Sequence, residues 1–372
     1  MRKRKNKIDF DYLLRLFVYT ISLLTTFIYI FYRIFFTLPV KYRIIDLVFG
    51  IIVLFIEFIE TIDFFVYYYN VLCAKRKEYI IPKVNKSLYP DVDVFIATIN
   101  ESVELIEDTI KHCLKMKYPS KKKVHIYVCD DGKRSEIKKL CKKYGINYIT
   151  RNDNKDAKAG NYNNALSKTS SPLIATFDAD MKPTPNFLMT TIPFFIEDKN
   201  VGFVQLPQSF NNPDLFQLKT GLYDDLPFEQ DYFYHCIQLS KNNINTTIYC
   251  GTNAVLSRKA ISNINGFATK TITEDFATGM LIESSGYKGI ALHNVEAYGV
   301  AVDNLESYAK QRSRWGRGCI QVLKNYKIVN NKGLKLRQKI DYSFSIYYWF
   351  FGFKRVIYIF IPMLLIVILL FL

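Results

Sequence analysis

Residues 92–132 read VDVFIATINESVELIEDTIKHCLKMKYPSKKKVHIYVCDDG and decide the fold of this chain. Residues 92–98 and 124–129 are short apolar runs, which are typical of buried strands. Between them the pattern predicts a helix over residues 103–116, and Ser102 stands where a helix N-cap is expected. A strand, a helix and a second strand in succession predict a parallel sheet with helices on its faces.

The same alternation continues along the chain. It predicts strands over residues 173–177 and 201–205, and helices over residues 135–144 and 185–196. The predicted fold class is therefore α/β, with a doubly wound sheet. In such sheets ligands bind beyond the carboxyl ends of the strands. Because Asp130 and Asp178 directly follow two of the predicted strands, we expect their acidic segments to lie in one crevice.

Composition allows one large domain of roughly 250 residues together with membrane segments in a chain of 372 residues. The net charge of +16 suggests an anionic partner. Nucleic acid is not expected, because no zinc spacing, recognition-helix pattern or RNA-binding aromatic motif accompanies the charge. The seven cysteines form no CxxC pair, and no histidine pair stands at metal-ligand spacing, which suits a reducing cytosol.

Three apolar runs are candidates for membrane spans: residues 16–32, about 47–69 and 356–372. Cations cluster in residues 1–7, and Lys75, Arg76, Lys77, Lys83 and Lys86 follow the second run. Cations beside a span mark the cytoplasmic side, so we expect residues 1–72 to form a transmembrane hairpin and residues 73–333 to be cytosolic. Residues 334–353 mix charge with aromatic residues and predict an interfacial helix, so residues 334–372 combine this helix with the start of a further span.

The second apolar run contains three acidic residues, Glu57, Glu60 and Asp63. They fall three apart, so neighbours share a helix face. Unpaired carboxylates are costly in lipid, and this face is therefore expected to meet protein, water or a transported ligand. The alternative left open is that the end of the run, near Tyr67–Tyr69, lies at the membrane interface.

Three further segments carry chemistry. Asp178-Ala179-Asp180 offers two carboxylates to a hard divalent cation, although such a triplet is also common in structural loops. Thr273-Glu274-Asp275 offers a general base, or simply an acidic first turn of a helix. In Gln311-Arg312-Ser313-Arg314-Trp315 the arginines suit a diphosphate and the tryptophan suits a sugar ring, unless the segment lies against lipid headgroups.

Taken in order with Asp130-Asp131-Gly132, these segments resemble those of the processive family 2 glycosyltransferases, and above all the cellulose synthase branch, from about Tyr89 to Gly318. The resemblance implies a nucleotide-sugar-binding (GT-A-like) domain with flanking transmembrane helices, and Mg²⁺ or Mn²⁺ as cofactor. Two more segments, Val204-Gln205-Leu206-Pro207-Gln208 and Tyr249-Cys250-Gly251-Thr252, favour the cellulose-like branch.

The resemblance also implies a role for each matching residue. Asp275 is expected to be the catalytic base, with Glu274 pointing elsewhere, and Asp178 and Asp180 are expected to hold the metal. The residues expected to bind the donor are Thr98, Glu101, Asp130, Asp131, Lys158 and Asp180. The residues expected at the acceptor and diphosphate are Gln311, Arg312, Arg314, Trp315 and Cys250.

The function implied is polymerisation of glucose from UDP-glucose into a β-glucan at the plasma membrane, by a multi-pass protein with a cytoplasmic catalytic domain. The alternatives are a synthase of another β-linked polysaccharide (mixed-linkage glucan, glucose-glucuronate capsule, chitin or hyaluronan), a lipid glycosyltransferase and a non-catalytic polysaccharide-conducting scaffold. The expected partners are a UDP-sugar, the growing polysaccharide and the lipid bilayer, but no nucleic acid.

The sequence departs from the cellulose synthase pattern in its membrane segments. Those enzymes have more spans, a gating loop and a cyclic-di-GMP-binding domain, for which no arginine-rich motif is visible here. Because three spans make a poor pore, we expect the chain to be a fragment, or partner subunits or an oligomer to complete a channel.

Overall fold

The computed structural model describes residues 10–74, 79–223 and 225–371. The chain divides into two compact units: Met1–Cys73 with Tyr347–Leu372, and Ala74–Ile346. The basic residues 1–7 and Lys75, Arg76 and Lys77, on which the expected orientation depends, lie outside the described residues.

The helices of the described residues, in chain order, are α1 (Phe10–Tyr32), α2 (Ile44–Ala74), α3 (Val103–Lys115), α4 (Ser135–Tyr144), α5 (Ala157–Ser167), α6 (Phe187–Glu197), α7 (Leu215–Thr220), α8 (Leu239–Lys241), α9 (Arg258–Asn263), α10 (Glu274–Ser284), α11 (Leu305–Tyr326), α12 (Leu336–Tyr347) and α13 (Phe351–Phe371). The strands are β1 (Val92–Thr98), β2 (Val124–Asp130), β3 (Asn147–Ile149), β4 (Leu173–Asp178), β5 (Lys182–Pro183), β6 (Val201–Gln205), β7 (Ser209–Phe210), β8 (Ala254–Ser257), β9 (Lys288–Ala291) and β10 (Ala297–Gly299).

Seven strands form the main sheet in the order β3-β2-β1-β4-β8-β6-β9. The first four run parallel, as predicted. The prediction of a parallel sheet needs one correction, because β8 runs antiparallel to both β4 and β6 and makes the sheet mixed. The chain enters β8 from the loop at residues 249–253, at the edge where β4 ends, and therefore runs back across the sheet. Strands β5, β10 and β7 form a second, small sheet.

The core lies on both faces of the main sheet. Val94 and Ile96 of β1 pack with Ile106 and Ile110 of α3 on one face. Phe95 points to the other face, where it joins a second apolar cluster that includes α5 and α9. Successive strand residues point to opposite faces, so a strand covered on both sides reads as a continuous apolar run. This arrangement confirms the doubly wound prediction.

The unit formed by Met1–Cys73 and Tyr347–Leu372 contains α1, α2 and α13. Among the described residues, two helical stretches are long and apolar enough to cross a membrane, Leu13–Thr37 and Leu336–Ile368. The second predicted span, which falls in α2, does not meet this test of composition because its apolar stretch carries Glu57, Glu60 and Asp63.

Two of these acids have partners within the same unit. Glu57 accepts hydrogen bonds from Arg33 Nε at 2.9 Å and from the Tyr29 hydroxyl at 2.8 Å. Glu60 pairs with Lys354 and accepts a hydrogen bond from the Tyr347 hydroxyl at 3.1 Å. Of the options left open by the sequence, contact with protein therefore holds for Glu57 and Glu60, and the ion pairs join α2 to its neighbours.

Helix α12, predicted as part of an interfacial helix, is anchored in the globular unit by a buried polar cluster. The Tyr342 hydroxyl donates to Glu283 of α10, and Lys241 of α8 pairs with Asp341. Gln338 also donates to the Asn245 carbonyl oxygen at 2.7 Å. The interfacial position of this helix stays a prediction.

Candidate active site

The carboxyl ends of three neighbouring strands bring the first predicted site residues to one level. Thr98 at the end of β1 is in register with Asp130 at the end of β2, and Ala97 is in register with Asp178 at the end of β4. The sheet therefore presents Thr98, Asp130 and Asp178 along one edge, as the sequence predicted.

Asp130 is fully buried, and protein donors surround its carboxylate. It accepts hydrogen bonds from the Gly132 amide at 3.0 Å, the Arg134 amide at 2.8 Å and the Tyr148 hydroxyl at 3.1 Å. The Arg134 guanidinium also pairs with it at 3.1 Å and donates to Thr98 Oγ1 at 2.7 Å. Asp130 thus ties the ends of β1 and β2 together, and its contact with a donor stays a prediction.

Glu101 caps the loop that follows β1. One carboxylate oxygen accepts hydrogen bonds from Thr98 Oγ1 at 2.7 Å and from the amides of Ile99 at 2.8 Å and Asn100 at 3.2 Å. Burial acts to raise the pKa of Glu101, but these hydrogen bonds outweigh it and hold the pKa below its usual value. Glu101 is therefore a fixed anion that shapes the loop.

Asp131 forms a bidentate ion pair with Arg151, a residue that sequence reasoning missed. Arg151 Nε and Nη2 each lie 2.7 Å from a carboxylate oxygen of Asp131. Both side chains are more than nine-tenths buried. A planar guanidinium matches a carboxylate in this geometry better than an ammonium group would. Like Asp130, Asp131 is occupied by an arginine, and its contact with a donor stays a prediction.

Lys158 and the Asp178-Ala179-Asp180 segment meet beyond β4. Lys158, on the first turn of α5, forms an ion pair with Asp178. Asp180 forms no ion pair within the part of the chain that the structure describes. Burial, followed by the charge of Asp178, raises the pKa of Asp180 to about 6.

A hard divalent cation would relieve this accumulation of negative charge, so the donor set of Asp178 and Asp180 fits such an ion. Within the described ranges no group of three or more His, Cys, Asp or Glu side chains is poised to hold a metal. Two carboxylates with substrate phosphate are, however, a usual arrangement for Mg²⁺.

The loop Tyr249–Thr252 joins the acidic segments. Thr252 Oγ1 accepts a hydrogen bond from the Asp178 amide at 3.0 Å. Gly251 has φ +77°, and a Cβ atom built on it would lie 3.0 Å from Asp275 Oδ2 and 3.1 Å from Lys158 Nζ. Gly251 therefore marks the point where the predicted base approaches the lysine that pairs with Asp178.

Gln205, in the other cellulose-like segment, residues 204–208, holds this loop in place. Its side-chain oxygen accepts a hydrogen bond from the Cys250 amide at 2.8 Å, and its side-chain nitrogen donates to the Thr252 carbonyl oxygen at 2.9 Å. Because the side chain is almost fully buried, its amide is committed to this support.

The carboxylates of Glu274 and Asp275 lie at the start of α10. Burial raises the pKa of Asp275, while the charges of Lys158 and Arg314 act to lower it. The expectation that Glu274 points elsewhere stays a prediction, although the charges of Asp275, Lys158 and Asp178 act on its carboxylate. Burial, followed by the charge of Asp275, raises the pKa of Glu274 to about 7.

Cys250 faces a π-helical turn, Phe233–Gln238, that periodicity did not predict. Gln238 Nε2 lies 3.5 Å from the Cys250 sulfur, and the thiol donates to the Ile248 carbonyl oxygen at 3.5 Å. Burial, followed by the nearby Asp275 charge, raises the pKa of the Cys250 thiol well above its usual value. Cys250 is therefore a neutral thiol beside the predicted base.

The segment Gln311–Trp315 lies on α11, where Arg312 is already engaged. Its guanidinium lies 5.0 Å from the Tyr308 ring centre and 4.6 Å from the Trp315 ring centre, and it pairs with Glu229. A guanidinium over aromatic faces is a favourable cation–π arrangement. Arg314 is exposed, and its positive charge acts to lower the pKa of Asp275. Gln311 lines a cleft together with Glu229 and Arg312.

Residues 93–264 match the model of glycosyl transferase family 2. The chain contains a family 2 glycosyltransferase domain. It is 34% identical over 343 residues to the cellulose synthase catalytic subunit (UDP-forming) of Pseudomonas fluorescens SBW25, covering 92% of this chain and 46% of that protein. The corresponding protein of Xanthomonas axonopodis pv. citri is 34% identical over 84% of this chain and 43% of its own length. The chain thus spans less than half the length of these relatives.

A solved structure shares the fold of the glycosyltransferase domain. It is a mannosyltransferase from Pyrobaculum calidifontis in complex with GDP-Man and Mn²⁺, with a TM-score of 0.61 and 19% identity over 77% of this chain and 79% of that one. Identity this low supports the GT-A-like fold alone.

The glycosyltransferase domain brings Lys158, Asp178 and Asp275 together, with Asp180 beside Asp178. The residues missed from the sequence are chiefly the partners of predicted ones: Arg134, Arg151, Glu229 and Gln238. For Arg134, Arg151 and Glu229 the sequence signal is that a charged group taken out of water needs a partner of opposite charge, which identifies the need but not the residue that meets it.

Proposed function

We propose that this chain is a processive, inverting glycosyltransferase that polymerises glucose from UDP-glucose into a β-glucan at the membrane. The observation that carries the proposal is the meeting of Asp275 and Lys158 at Gly251, with Lys158 paired to Asp178. This proximity supports the proposal, since it would hold a base and a phosphate-binding group within one crevice. The relatives named as UDP-forming cellulose synthase subunits support the choice of donor.

At the donor end, Asp178 and Asp180 would hold Mg²⁺ or Mn²⁺, which when bound neutralises charge on the departing diphosphate. Lys158 supplies a fixed positive charge at the same phosphates. The loops of Thr98, Glu101, Asp130 and Asp131 enclose the nucleotide. We assign the last two aspartates a shaping role, since both are committed to arginines.

Asp275 is proposed as the base that removes the proton from the acceptor hydroxyl as it attacks the anomeric carbon. One carboxylate is enough for a single displacement with inversion, since the leaving diphosphate needs no second acid. The base must be ionised to act, and the charges of Lys158 and Arg314 favour its ionised form. Glu274, whose pKa is also raised by burial and by the charge of Asp275, is proposed as a neighbour rather than the base.

The acceptor end is proposed to lie against Trp315, whose ring offers an apolar face to the terminal sugar. Arg314 and Gln311 lie on the same helix, and Cys250 flanks the base. Arg312 contributes through the Trp315 ring, over which it lies. Retention of the terminal sugar on this platform after each transfer would make elongation processive.

The membrane placement is part of the proposal. The apolar stretches Leu13–Thr37 and Leu336–Ile368 suit a lipid bilayer by length and composition. We propose a plasma-membrane protein of several spans with its catalytic domain in the cytoplasm. Further membrane segments, from partner subunits or an oligomer, would complete a path for the polysaccharide.

The test is polymer synthesis in membrane vesicles supplied with UDP-glucose and Mg²⁺ or Mn²⁺. The wild type is compared with Asp275→Asn and with Glu306→Gln, an exposed carboxylate on α11 that serves as control. We expect β-glucanase-sensitive product from the wild type and the control but none from Asp275→Asn. Full activity of Asp275→Asn would refute the assignment of the base. Product only from another UDP-sugar, identified by linkage-specific digestion, would replace the β-glucan by another β-linked polymer.

A further inference from the structure

We propose that Arg151 is a positioning residue that holds a strained turn before α5 and thereby aims Lys158 at Asp178. The inference deepens the proposed function and rests on it, since the role of Lys158 is to bind the donor phosphates. It also gives Asp131 a second role, as the anchor of Arg151.

Arg151 uses all three guanidinium nitrogens within the protein. Two of them bind the Asp131 carboxylate at 2.7 Å each. Nη1 donates to the Lys155 carbonyl oxygen at 2.5 Å, and Nη2 donates to the Ala157 carbonyl oxygen at 2.7 Å. One buried cation therefore connects the end of β2 to the turn that starts α5.

The turn is strained at two successive residues. Asp156 has φ 60° and Ala157 has φ 44°, although neither is glycine. Non-glycine residues in this region carry a conformational cost and persist only where surrounding contacts enforce them. The Arg151 bonds to the carbonyl oxygens of Lys155 and Ala157 lie on either side of Asp156 and are such contacts.

The start of α5 is built to admit Arg151. A Cβ atom at Gly160 would collide with the Arg151 guanidinium and with the Lys155 carbonyl oxygen. A glycine therefore stands where the helix passes closest to the cation. Lys158 lies between the strained turn and Gly160, so a shift of the turn moves the ammonium group that pairs with Asp178.

The test is a double-mutant cycle of Arg151→Met and Lys158→Met. Manganese-dependent UDP binding is measured by calorimetry, and KM and kcat are measured with UDP-glucose. If Arg151 acts through Lys158, Arg151→Met weakens UDP binding and raises KM roughly 10- to 100-fold, as expected for losing bonds to a charged group. The double variant should then bind UDP no more weakly than Lys158→Met alone, because the two effects are not additive.

Ala157→Gly supplies a rescue that a purely structural role would not predict. Glycine adopts positive φ without strain, so the turn needs less enforcement. In the Arg151→Lys background, Ala157→Gly should recover part of the lost UDP affinity. This milder pair also keeps the inference testable if Arg151→Met fails to fold.

A matched control lies elsewhere on the sheet. Arg258 donates to Asp93 at 2.7 Å and to the carbonyl oxygens of Ser171 at 2.5 Å and Leu166 at 3.0 Å, near the amino ends of β1 and β4. Arg258→Met should lower the melting temperature yet leave UDP affinity within twofold of wild type. The inference would be overturned, and the proposed function left standing, by either of two results. One is that Arg151→Met and Lys158→Met weaken UDP binding independently, so that their effects multiply in the double variant. The other is unchanged UDP binding in a folded Arg151→Met variant. A wild type that neither binds UDP nor transfers from any UDP-sugar would overturn the proposed function and the inference with it.

Discussion

Substitution of Gly251 by alanine tests the centre of the site. At φ +77° an alanine is strained by roughly 1–2 kcal/mol, and its Cβ atom would lie 3.0 Å from Asp275 Oδ2 and 3.1 Å from Lys158 Nζ. Carbon approaches oxygen and nitrogen comfortably at greater distances, so both side chains must shift by several tenths of an ångström. Because a displacement of about 1 Å costs about 100-fold in rate, a shift of a few tenths of an ångström should lower kcat roughly 4- to 10-fold.

The assay for Gly251→Ala combines the initial rate of polymer synthesis with thermal unfolding. Gly145→Ala is its control, since Gly145 has φ 65° and a Cβ atom there would meet no neighbour within 4 Å. Both variants should lose similar stability, but the rate should fall in Gly251→Ala alone. Equal rates in the two folded variants would refute the argument that Gly251 sets the distance between base and lysine.

Three further predictions concern groups around the site. Burial raises the pKa of Glu283 above its usual 4.5, so its contribution to stability is present below about pH 4.5 and is lost as pH rises through the folded pKa. Glu283→Gln should flatten this pH dependence in thermal melts, and an unchanged slope would contradict it. Glu229→Gln removes the anionic partner of Arg312 and should therefore loosen the proposed acceptor platform. Gel filtration should show shorter polymer, while the rate of transfer of a single sugar stays nearly unchanged. Polymer of wild-type length would contradict the role given to Glu229. Asp130→Asn leaves Arg134 without its anionic partner and should lower the free energy of unfolding, measured by chemical denaturation, by about 3–5 kcal/mol. A loss below about 1 kcal/mol would contradict the structural role given to Asp130.

The sequence predicted those parts of the fold that depend on local pattern. Continuous apolar runs such as residues 92–98 mark strands covered on both faces, and the acids that follow them fall at one sheet edge. The antiparallel β8 escaped prediction because Ala254–Ser257 is a four-residue strand without period or turn signal of its own. Its direction depends on the loop that precedes it, which no local pattern encodes.

The site was predicted where a motif carries the chemistry and missed where a distant partner completes it. Arg312 lies 83 residues from Glu229 along the chain, and Arg151 lies 20 residues from Asp131. Charge alone indicates that Asp131 needs a cation when buried, but the chain offers fifty arginines and lysines to choose from. The tertiary fold decides which cation pairs with Asp131, because it sets the distances between the charged side chains.

The arrangement around Tyr249–Thr252 explains why weak local signals combine into one site. Thr252 holds the backbone of Asp178, Gly251 admits Asp275 and Lys158, and the Cys250 amide is held by Gln205. A single loop is therefore bonded to the proposed metal-binding segment and to Gln205, and it abuts the proposed base. Each of these segments alone is also compatible with a purely structural role. All of these segments contact the same glycine-containing loop, which is a geometric reason for them to occur together. A change in any one segment would shift this loop and thereby displace the other segments.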